Sequence, residues 1–170
     1  MPLELIKISA DETTLIADLA NRIWHAYYSA FIDLHQIDYM LDKFYSKESL
    51  HKQIEDGQEF YKISEDDVVK GFISISCKSP EDYFIHKFYI LSSEHGKSKG
   101  TEVMTMIKKL INQRNNGADT NVRLTVNRQN YKAINFYFKN HFTIETVEDF
   151  DIGNGYFMTD FVMLLKLRNS

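Results

Sequence analysis

The spacing of apolar residues changes at Gly57, and this change restricts the chain to folds that combine helices with strands. Before Gly57 the apolar residues recur every three or four positions, which is typical of one buried helix face. Three helices are predicted there: the first opens at Ser9 with Glu12 at the capping-box position, and the third ends at Gly57. After Gly57 apolar and polar residues alternate, as in strands that are covered on one face.

The complete pattern predicts the order β-α-α-α-β-β-β-α-β-α-β-β, a mixed α/β domain with a central, mostly antiparallel sheet flanked by helices. A first strand covers Leu3 to Ile8. Later strands are predicted at Glu59–Ser64, Val68–Lys78, Tyr83–Leu91, Asn121–Val126 and on both sides of Gly153–Gly155. Later helices are predicted through Val103 to Ile111 and over Asn130–Asn140. The length of 170 residues favours a single domain over residues 1–170.

Charge and composition argue against several classes of protein. A net charge of −4 argues against a nucleic-acid binder that depends on phosphate contacts. The chain has no apolar stretch near the roughly 20 residues of a membrane helix, and no basic start followed by an apolar run, so we expect no membrane partner and no secretory signal. The single cysteine, Cys77, suits a reducing compartment, so we expect a cytoplasmic protein. Cys77 ends an alternating run and is predicted to be a buried strand thiol.

The segment Tyr89–Thr101 reads as a strand, a tight turn and the start of a helix, which together could hold a phosphate. A helix N-terminus has unpaired N–H groups and partial positive charge. Glycines let the backbone approach an anion closely, and two lysines add charge. A purely structural turn remains the alternative. The candidate cofactor-binding residues here are Tyr89, Ile90, Leu91, His95, Gly96, Lys97, Ser98, Lys99, Gly100 and Thr101.

A second segment is more specific. The run Leu124–Phe142 reads LTVNRQNYKAINFYFKNHF and resembles a signature of the GCN5-related N-acetyltransferase (GNAT) superfamily. In that signature a strand ends in V-N, an Asn opens the next helix, and A-I-x-F-Y-x-x-x-G-F follows. His141 stands at the usual glycine position. The resemblance covers essentially the whole chain and implies the GNAT acyl-CoA N-acyltransferase fold, with acetyl-CoA as co-substrate and no metal.

The phosphate loop departs from the pattern of the same family. The usual form is Gln or Arg, two residues, Gly, one residue, then Gly or Ala. These three positions hold His95, Ser98 and Gly100. Serine tolerates a tight turn only if its φ stays negative, so the replacement of glycine by Ser98 bears on the strength of cofactor binding and not on the fold.

Tyr137 is the predicted catalytic acid. It follows Asn130 by seven residues, so both lie nearly on one helix face, about 10 Å apart along the axis. The resemblance implies that Tyr137 protonates the departing thiolate and that both Asn130 and Tyr137 contact the cofactor. The alternatives are a core tyrosine and a plain N-cap.

His86 is the candidate general base. An alkyl ammonium with a pKa near 10.4 must lose a proton before it attacks, and an imidazole with a pKa near 6.5 can accept one at neutral pH. His86 lies three residues before Tyr89, on the strand that the resemblance places beside the acetyl group. The alternative is a histidine that packs on a sheet face beside Phe84 and Phe88. Glu59 is a second candidate base.

Aromatic residues at the end of the first helix are the candidate acceptor site. The resemblance places Trp24, Tyr28 and Phe31, with Tyr27, beside the acceptor pocket, where rings could hold a cation. Core packing is the alternative. The chain's closing strands, around Phe150–Met163, and the segment Gln36–Ser46 resemble the bacterial polyamine N-acetyltransferase branch.

The expected function is N-acetylation of a small primary amine, with a polyamine favoured, by direct attack in a ternary complex. A protein or peptide acceptor remains open, as does a non-catalytic CoA-binding regulatory module. Relatives that pair through edge strands suggest a homodimer by analogy. The remaining histidines show no metal-ligand pattern.

Overall fold

The computed structural model describes residues 2–168, and its elements follow the predicted order. The helices are α1 Thr13–Tyr27, α2 Leu34–Tyr45, α3 Lys47–Glu55, α4 Lys99–Arg114 and α5 Tyr131–Lys139. The strands are β1 Glu4–Lys7, β2 Glu59–Glu65, β3 Val68–Ser79, β4 Asp82–Ile90, β5 Thr120–Asn127, β6 Thr143–Gly153 and β7 Tyr156–Leu167. Short 3-10 turns cover Ala10–Glu12, Tyr28–Ala30 and Ser92–Glu94. The predicted mixed α/β class is confirmed.

The chain divides into two compact units. The first unit contains the described residues up to Ser76 together with Lys87–Met106, and the second contains Cys77–His86 together with the described residues from Ile107 onward. The residues of β4 are therefore divided between the units after His86. The prediction of one domain over the whole chain stays a prediction.

The first unit packs helices onto antiparallel strands. β2 pairs with β1 and with β3, both antiparallel. Helix α2 begins at the cap Asp33, whose carboxylate accepts the His35 N–H at 2.9 Å. α3 begins at Ser46, whose hydroxyl accepts the Ser49 N–H at 3.2 Å. The buried core of this unit includes Ile16, Leu19, Ile23, Ile37, Leu50, Phe60, Ile63, Phe72, Ile73 and Ile75.

The second unit contains the parallel pairing, between Asp82–Ile85 of β4 and Asn121–Leu124 of β5. β7 pairs antiparallel with β5 and with β6. The predicted mostly antiparallel sheet is thus confirmed. The buried core of this unit includes Ile107, Ile111, Val122, Leu124, Phe142, Met163 and Leu165.

The prediction of a buried thiol at Cys77 is wrong, because Cys77 is exposed. The alternating pattern continues to the end of β3, but burial stops at Ile75 and Ser76 is only half-buried. The Cys77 Sγ lies 3.2 Å from the Ser79 carbonyl oxygen. Alternation therefore predicted the strand correctly but not where its buried part ends. Among residues 2–168, no helix is long and apolar enough to cross a membrane.

Candidate functional site

The loop that joins β4 to α4 belongs to the first unit and is held by two hydrogen bonds to its strands. The Leu91 N–H donates to the Lys70 carbonyl at 2.9 Å, and Nε2 of His95 lies 2.9 Å from the Ile90 carbonyl. Helix α4 begins at Lys99. The N–H groups of its first turn have no intrahelical acceptor, so this helix end carries the partial positive charge that favours an anion.

Two residues of this loop have a left-handed backbone. Gly96 has φ +77° and Ser98 has φ +59°. Ser98 therefore lacks the negative φ that serine favours in a tight turn, and it adopts a conformation that glycine accepts more readily, at a cost of roughly 1–2 kcal/mol. A Cβ on Gly96 would meet no atom within 4 Å, so the space beside this backbone is open. Open backbone at a positive helix end fits a phosphate group.

The two loop lysines have different surroundings. The Lys97 side chain is 56% exposed, with its Nζ 3.6 Å from Oε2 of Glu94. The Lys99 side chain is 12% exposed, with its Nζ 2.5 Å from Oε2 of Glu65 and 3.6 Å from Oε2 of Glu94. Its hydrogen bond to Glu65 raises the pKa of Lys99. Lys97 is thus the loop lysine whose charge faces solvent.

A glycine of β3 allows the strand that precedes this loop to come close. A Cβ on Gly71 would lie 2.2 Å from the Tyr89 carbonyl oxygen and 2.9 Å from the Ile90 Cα. Only glycine is compatible with this approach of the two backbones. Sequence reasoning missed Gly71, although an isolated glycine within an alternating strand is the signal for such an approach.

The predicted acceptor residues come together in the first unit. Trp24 stacks on Tyr28 with ring centroids 4.5 Å apart, and Phe31 lies 5.2 Å from Tyr28. Tyr89 of β4 lies 6.0 Å from Trp24. The His95 ring packs edge-on against Tyr27, at 5.8 Å. Trp24 is buried and also packs in the core, whereas Tyr27, Tyr28 and Phe31 are half-buried.

A buried lysine of β4 lies in the same unit and was not predicted. The Lys87 Nζ lies 2.5 Å from Gln53 Oε1 and 3.1 Å from Gln58 Oε1. It also lies 5.1 Å from the ring centroid of Phe60 and 5.6 Å from that of Tyr45. Burial lowers the pKa of Lys87 to about 7. Its position in a mostly apolar strand is the sequence signal that could have found it.

A concavity of about 770 Å³ lies between α1 and α2. Its charged lining consists of Asp18, Asp38 and Asp42 with one cation, Arg22. Asp38 Oδ1 also lies 2.9 Å from Nε2 of His25. The lining is negative on balance, which favours cations over anions near this surface.

The turn before α5 belongs to the second unit and is held by side-chain hydrogen bonds. Asn130 is buried, and its side-chain oxygen accepts the Ala133 N–H at 3.3 Å, so the predicted N-cap is present. The Asn127 side chain accepts the Gln129 N–H at 2.9 Å. Arg128, which sequence reasoning missed, donates from Nη1 to the backbone carbonyls of Glu148 and Asp160 at 3.0 and 3.1 Å and from Nη2 to Asp149 at 2.7 Å.

Tyr137 lies seven residues after this cap, about two turns along α5. It is 7% exposed, and its ring meets Phe136 at 5.4 Å and Phe142 at 5.6 Å. The Phe142 N–H donates to the Tyr137 carbonyl at 3.0 Å. His141, at the family's glycine position, has φ +74°. The left-handed turn after α5 therefore persists although glycine does not.

The two candidate bases have different environments. His86 of the second unit is exposed, and its ring lies 4.7 Å from that of Phe84. Glu59 of the first unit accepts a hydrogen bond from the Tyr61 hydroxyl at 2.9 Å and lies 3.9 Å from Lys7 Nζ. These contacts favour a strand-edge role for Glu59. Within residues 2–168, no group of three or more His, Cys, Asp or Glu side chains is arranged to hold a metal ion.

The chain is similar to proteins of known family. Residues 19–165 match the family model of the acetyltransferase (GNAT) domain. A spermidine N(1)-acetyltransferase of Thermoplasma acidophilum is 24% identical over 156 residues, which cover 89% of this chain and 94% of that protein.

Solved structures share the fold. The PaiA N-acetyltransferase of Thermoplasma acidophilum, in complex with coenzyme A, superposes with a TM-score of 0.78 at 24% identity, covering 98% of this chain and 99% of that one. The spermidine N-acetyltransferase of Vibrio cholerae, in complex with CoA and spermine, gives 0.69 at 17% identity, covering 97% and 95%. At these identities the structures establish the shared fold.

Proposed function

We propose, from the premise that this chain belongs to the GNAT acetyltransferase family, that it transfers the acetyl group of acetyl-CoA to a primary amine of a small molecule. The observation that carries this proposal is the loop before α4. Left-handed Gly96 and Ser98, open space beside the backbone and the solvent-facing charge of Lys97 suit the phosphates of coenzyme A.

The proposed reaction is direct attack. The amine nitrogen forms a bond to the thioester carbonyl carbon, the carbon–sulfur bond breaks, and the nitrogen loses a proton. The departing sulfur takes a proton, for which Tyr137 is the proposed donor. Its phenol is largely withdrawn from water between Phe136 and Phe142, which restricts its rotation and favours a fixed donor position.

His86 is the proposed base. Its exposure lets a proton taken from the amine pass to solvent, and an imidazole exchanges protons near neutral pH. Glu59 is less suitable, because Tyr61 and Lys7 already contact its carboxylate.

The proposed acceptor is a polyamine. The aromatic cluster of Trp24, Tyr28, Phe31 and Tyr89 supports a cationic acceptor, since ring faces attract ammonium groups. The negative lining between α1 and α2 adds to the attraction of cations to the first unit. The spermidine acetyltransferase among the relatives supports the same class. A cytoplasmic location and a homodimer belong to the same set of proposals.

The first experiment measures the release of CoA from acetyl-CoA with polyamines, amino acids, aminoglycosides and peptides as acceptors. We expect turnover with spermidine or spermine. Turnover with another amine alone would retain the reaction and reject the polyamine. Binding of acetyl-CoA without turnover on any acceptor would favour the non-catalytic module.

A substitution tests the role of Tyr137. Tyr137→Phe is expected to lower kcat on the order of 100-fold while the Kd for CoA stays unchanged. The matched control is Tyr131→Phe on the same helix, where the side chain is 71% exposed and no loss is expected. Equal activity of the Tyr137 variant and the wild type would exclude Tyr137 as the acid.

A further inference from the structure

Four charged side chains of the first unit form one ion-pair network next to the loop before α4, and we call this network the loop clamp: Glu65, Lys70, Glu94 and Lys99. We propose that the loop clamp holds Ser98 in its left-handed conformation, so that its members are positioning residues for the binding of acetyl-CoA. This inference rests on the proposed function, because acetyl-CoA is taken as the ligand of the loop.

The contacts of the loop clamp reach both ends of the turn that contains Ser98. Glu94 lies before this turn and receives Lys70 of β3 at 3.1 Å. Lys99 lies directly after Ser98, and its Nζ is 2.5 Å from Glu65 at the end of β2. A third contact, of 3.6 Å, joins Lys99 to Glu94. The two flanks of Ser98 are therefore tied to each other and to a pair of hydrogen-bonded strands.

The loop clamp is shielded from solvent at its centre. The side chains of Glu94 and Lys99 are 9% and 12% exposed, so salt screens their attraction less than that of a surface pair. Its carboxylates are held in the ionised form: Lys70 lowers the pKa of Glu94, and Lys99 lowers the pKa of Glu65. The network therefore remains charged at neutral pH.

Ser98 is the reason that such a network is needed. For a residue with a Cβ, the left-handed conformation is disfavoured by about five- to thirtyfold. Glycine has no such bias, and glycine is what the family pattern has at this position. A ligand that requires a minor conformation binds more weakly in proportion to the population of that conformation. The ion pairs counter this loss by fixing the residues on either side.

The two loop lysines consequently have separate roles. Lys97 also lies 3.6 Å from Glu94, but its side chain is 56% exposed and can meet a phosphate directly. Lys99 is 12% exposed and is held between two carboxylates. Loss of Lys97 removes a charge that attracts the ligand. Loss of Lys99 instead releases the turn, and this damage should depend on which residue is at position 98.

The test is a double-mutant cycle on Lys99→Met and Ser98→Gly. Kd for CoA is measured by calorimetry, and KM for acetyl-CoA and kcat are measured with an amine acceptor. Lys99→Met is expected to raise Kd and KM about tenfold and to leave kcat within about twofold. In the Ser98→Gly background the same change should raise Kd by no more than about twofold, because glycine needs no external support there.

Three further variants separate direct contact with the phosphate from positioning of the turn. Lys97→Met is expected to weaken CoA binding by the same factor whether residue 98 is serine or glycine. Lys62→Met removes a distant ion pair of the same unit, with Glu12 at 3.4 Å, and should leave Kd unchanged. Glu65→Gln keeps the side-chain shape and removes the charge that pairs with Lys99. It should repeat the Lys99→Met result, including the rescue by glycine, and it replaces that variant if Lys99→Met does not fold.

Equal penalties for Lys99→Met in the two backgrounds would overturn the inference and make Lys99 a direct phosphate ligand. Unchanged Kd in Lys99→Met would also overturn it. A wild-type protein that binds no CoA would instead overturn the proposed function, and the inference with it.

Discussion

The turns that lead into α4 and α5 are built in two different ways. Before α4, in the first unit, the turn around Ser98 is supported by charged side chains from β2 and β3, more than 20 positions away in the sequence. Before α5, in the second unit, the cap Asn130 and the turn around Asn127 are formed by hydrogen bonds to residues two or three positions away. The turn around Ser98 thus depends on distant side chains, whereas Asn127 and Asn130 bond to near neighbours and Arg128 between them adds bonds to β6 and β7.

The difference shows what a family pattern requires of a sequence. The turn before α5 matches the family signature, and its two asparagines accept hydrogen bonds from nearby backbone N–H groups. The turn before α4 has lost a glycine of its pattern, and charges brought in by two strands maintain its shape. Variants in the two units should therefore differ in how they change stability, its pH dependence and the binding of acetyl-CoA.

The largest effect is expected at Lys87, on the strand that leads to α4. Its folded-state pKa of about 7 lies below the ordinary 10.5, so the unfolded chain binds more protons between these values. The contribution of Lys87 to stability is complete above pH 10.5 and is lost as pH falls towards 7. The full change is about 5 kcal/mol.

Urea unfolding from pH 7 to 9.5 tests this prediction. Stability of the wild type relative to Lys87→Met should rise with pH, by at most about 1.4 kcal/mol per unit. Lys62→Met, at a partly exposed ion pair, is the control and should keep the wild-type slope. Parallel curves for the wild type and Lys87→Met would show that Lys87 stays charged in the folded protein.

The turns before α4 and α5 were also not equally predictable from the sequence. The cap Asn130, the helix α5 and the strand before it follow from local pattern, and their predicted limits agree with the structure within one residue. The backbone at Ser98, the exposure of Cys77 and the pairing of Lys99 depend on residues from other strands or on where the core ends. Spacing along a sequence contains no information on such contacts, so these features could not be predicted.

Gly71 should produce the next largest effect. An alanine Cβ there would lie 2.2 Å from the Tyr89 carbonyl oxygen, so the two strand backbones must separate. Gly71→Ala is expected to cost about 3 kcal/mol of unfolding free energy. It should also raise the KM for acetyl-CoA, because the shift moves the strand that leads into the loop.

The matched control is Gly155→Ala in the β6–β7 turn. A Cβ there meets no atom within 4 Å, but φ is +79°, so only the conformational cost of about 1 kcal/mol is expected. Chemical denaturation of both variants gives their losses of unfolding free energy, and the excess loss in Gly71→Ala measures the steric clash beyond the conformational cost. Equal losses would mean that β3 and β4 adjust to the added methyl group without strain.

Asp160 supplies the corresponding test in the second unit. It pairs with Asn127 in the β5–β7 register and is buried, and burial raises the pKa of Asp160 to about 6 despite the nearby Arg128. The folded protein therefore binds more protons than the unfolded chain between pH 3.8 and 6. The contribution of Asp160 to stability is present below this window and is lost as pH rises through it, by about 3 kcal/mol at most.

The pH dependence of Asp160→Asn measures this loss. Stability of the wild type relative to this variant should fall between pH 4 and 6, opposite in sign to the effect at Lys87. Asp149→Asn is the control: this carboxylate lies 2.7 Å from Arg128 but is 61% exposed, and it should not reproduce the fall. A difference between wild type and Asp160→Asn that does not change with pH would assign Asp160 an ionised state throughout.

The smallest effect is expected at His141, the second position where this chain replaces a family glycine. His141 has φ +74°, and its N–H donates to the Phe138 carbonyl at 3.0 Å, which closes the end of α5. Among residues 2–168 it makes no ion pair, so no network comparable to the loop clamp offsets its conformational cost. His141→Gly should stabilise the protein by about 0.5–1 kcal/mol, since relief of the left-handed strain exceeds the added freedom of the unfolded chain. The control is His141→Ala, which removes the imidazole but keeps a Cβ, and thermal unfolding should show no such gain for it. An equal gain in both variants would attribute the effect to the ring rather than to the backbone.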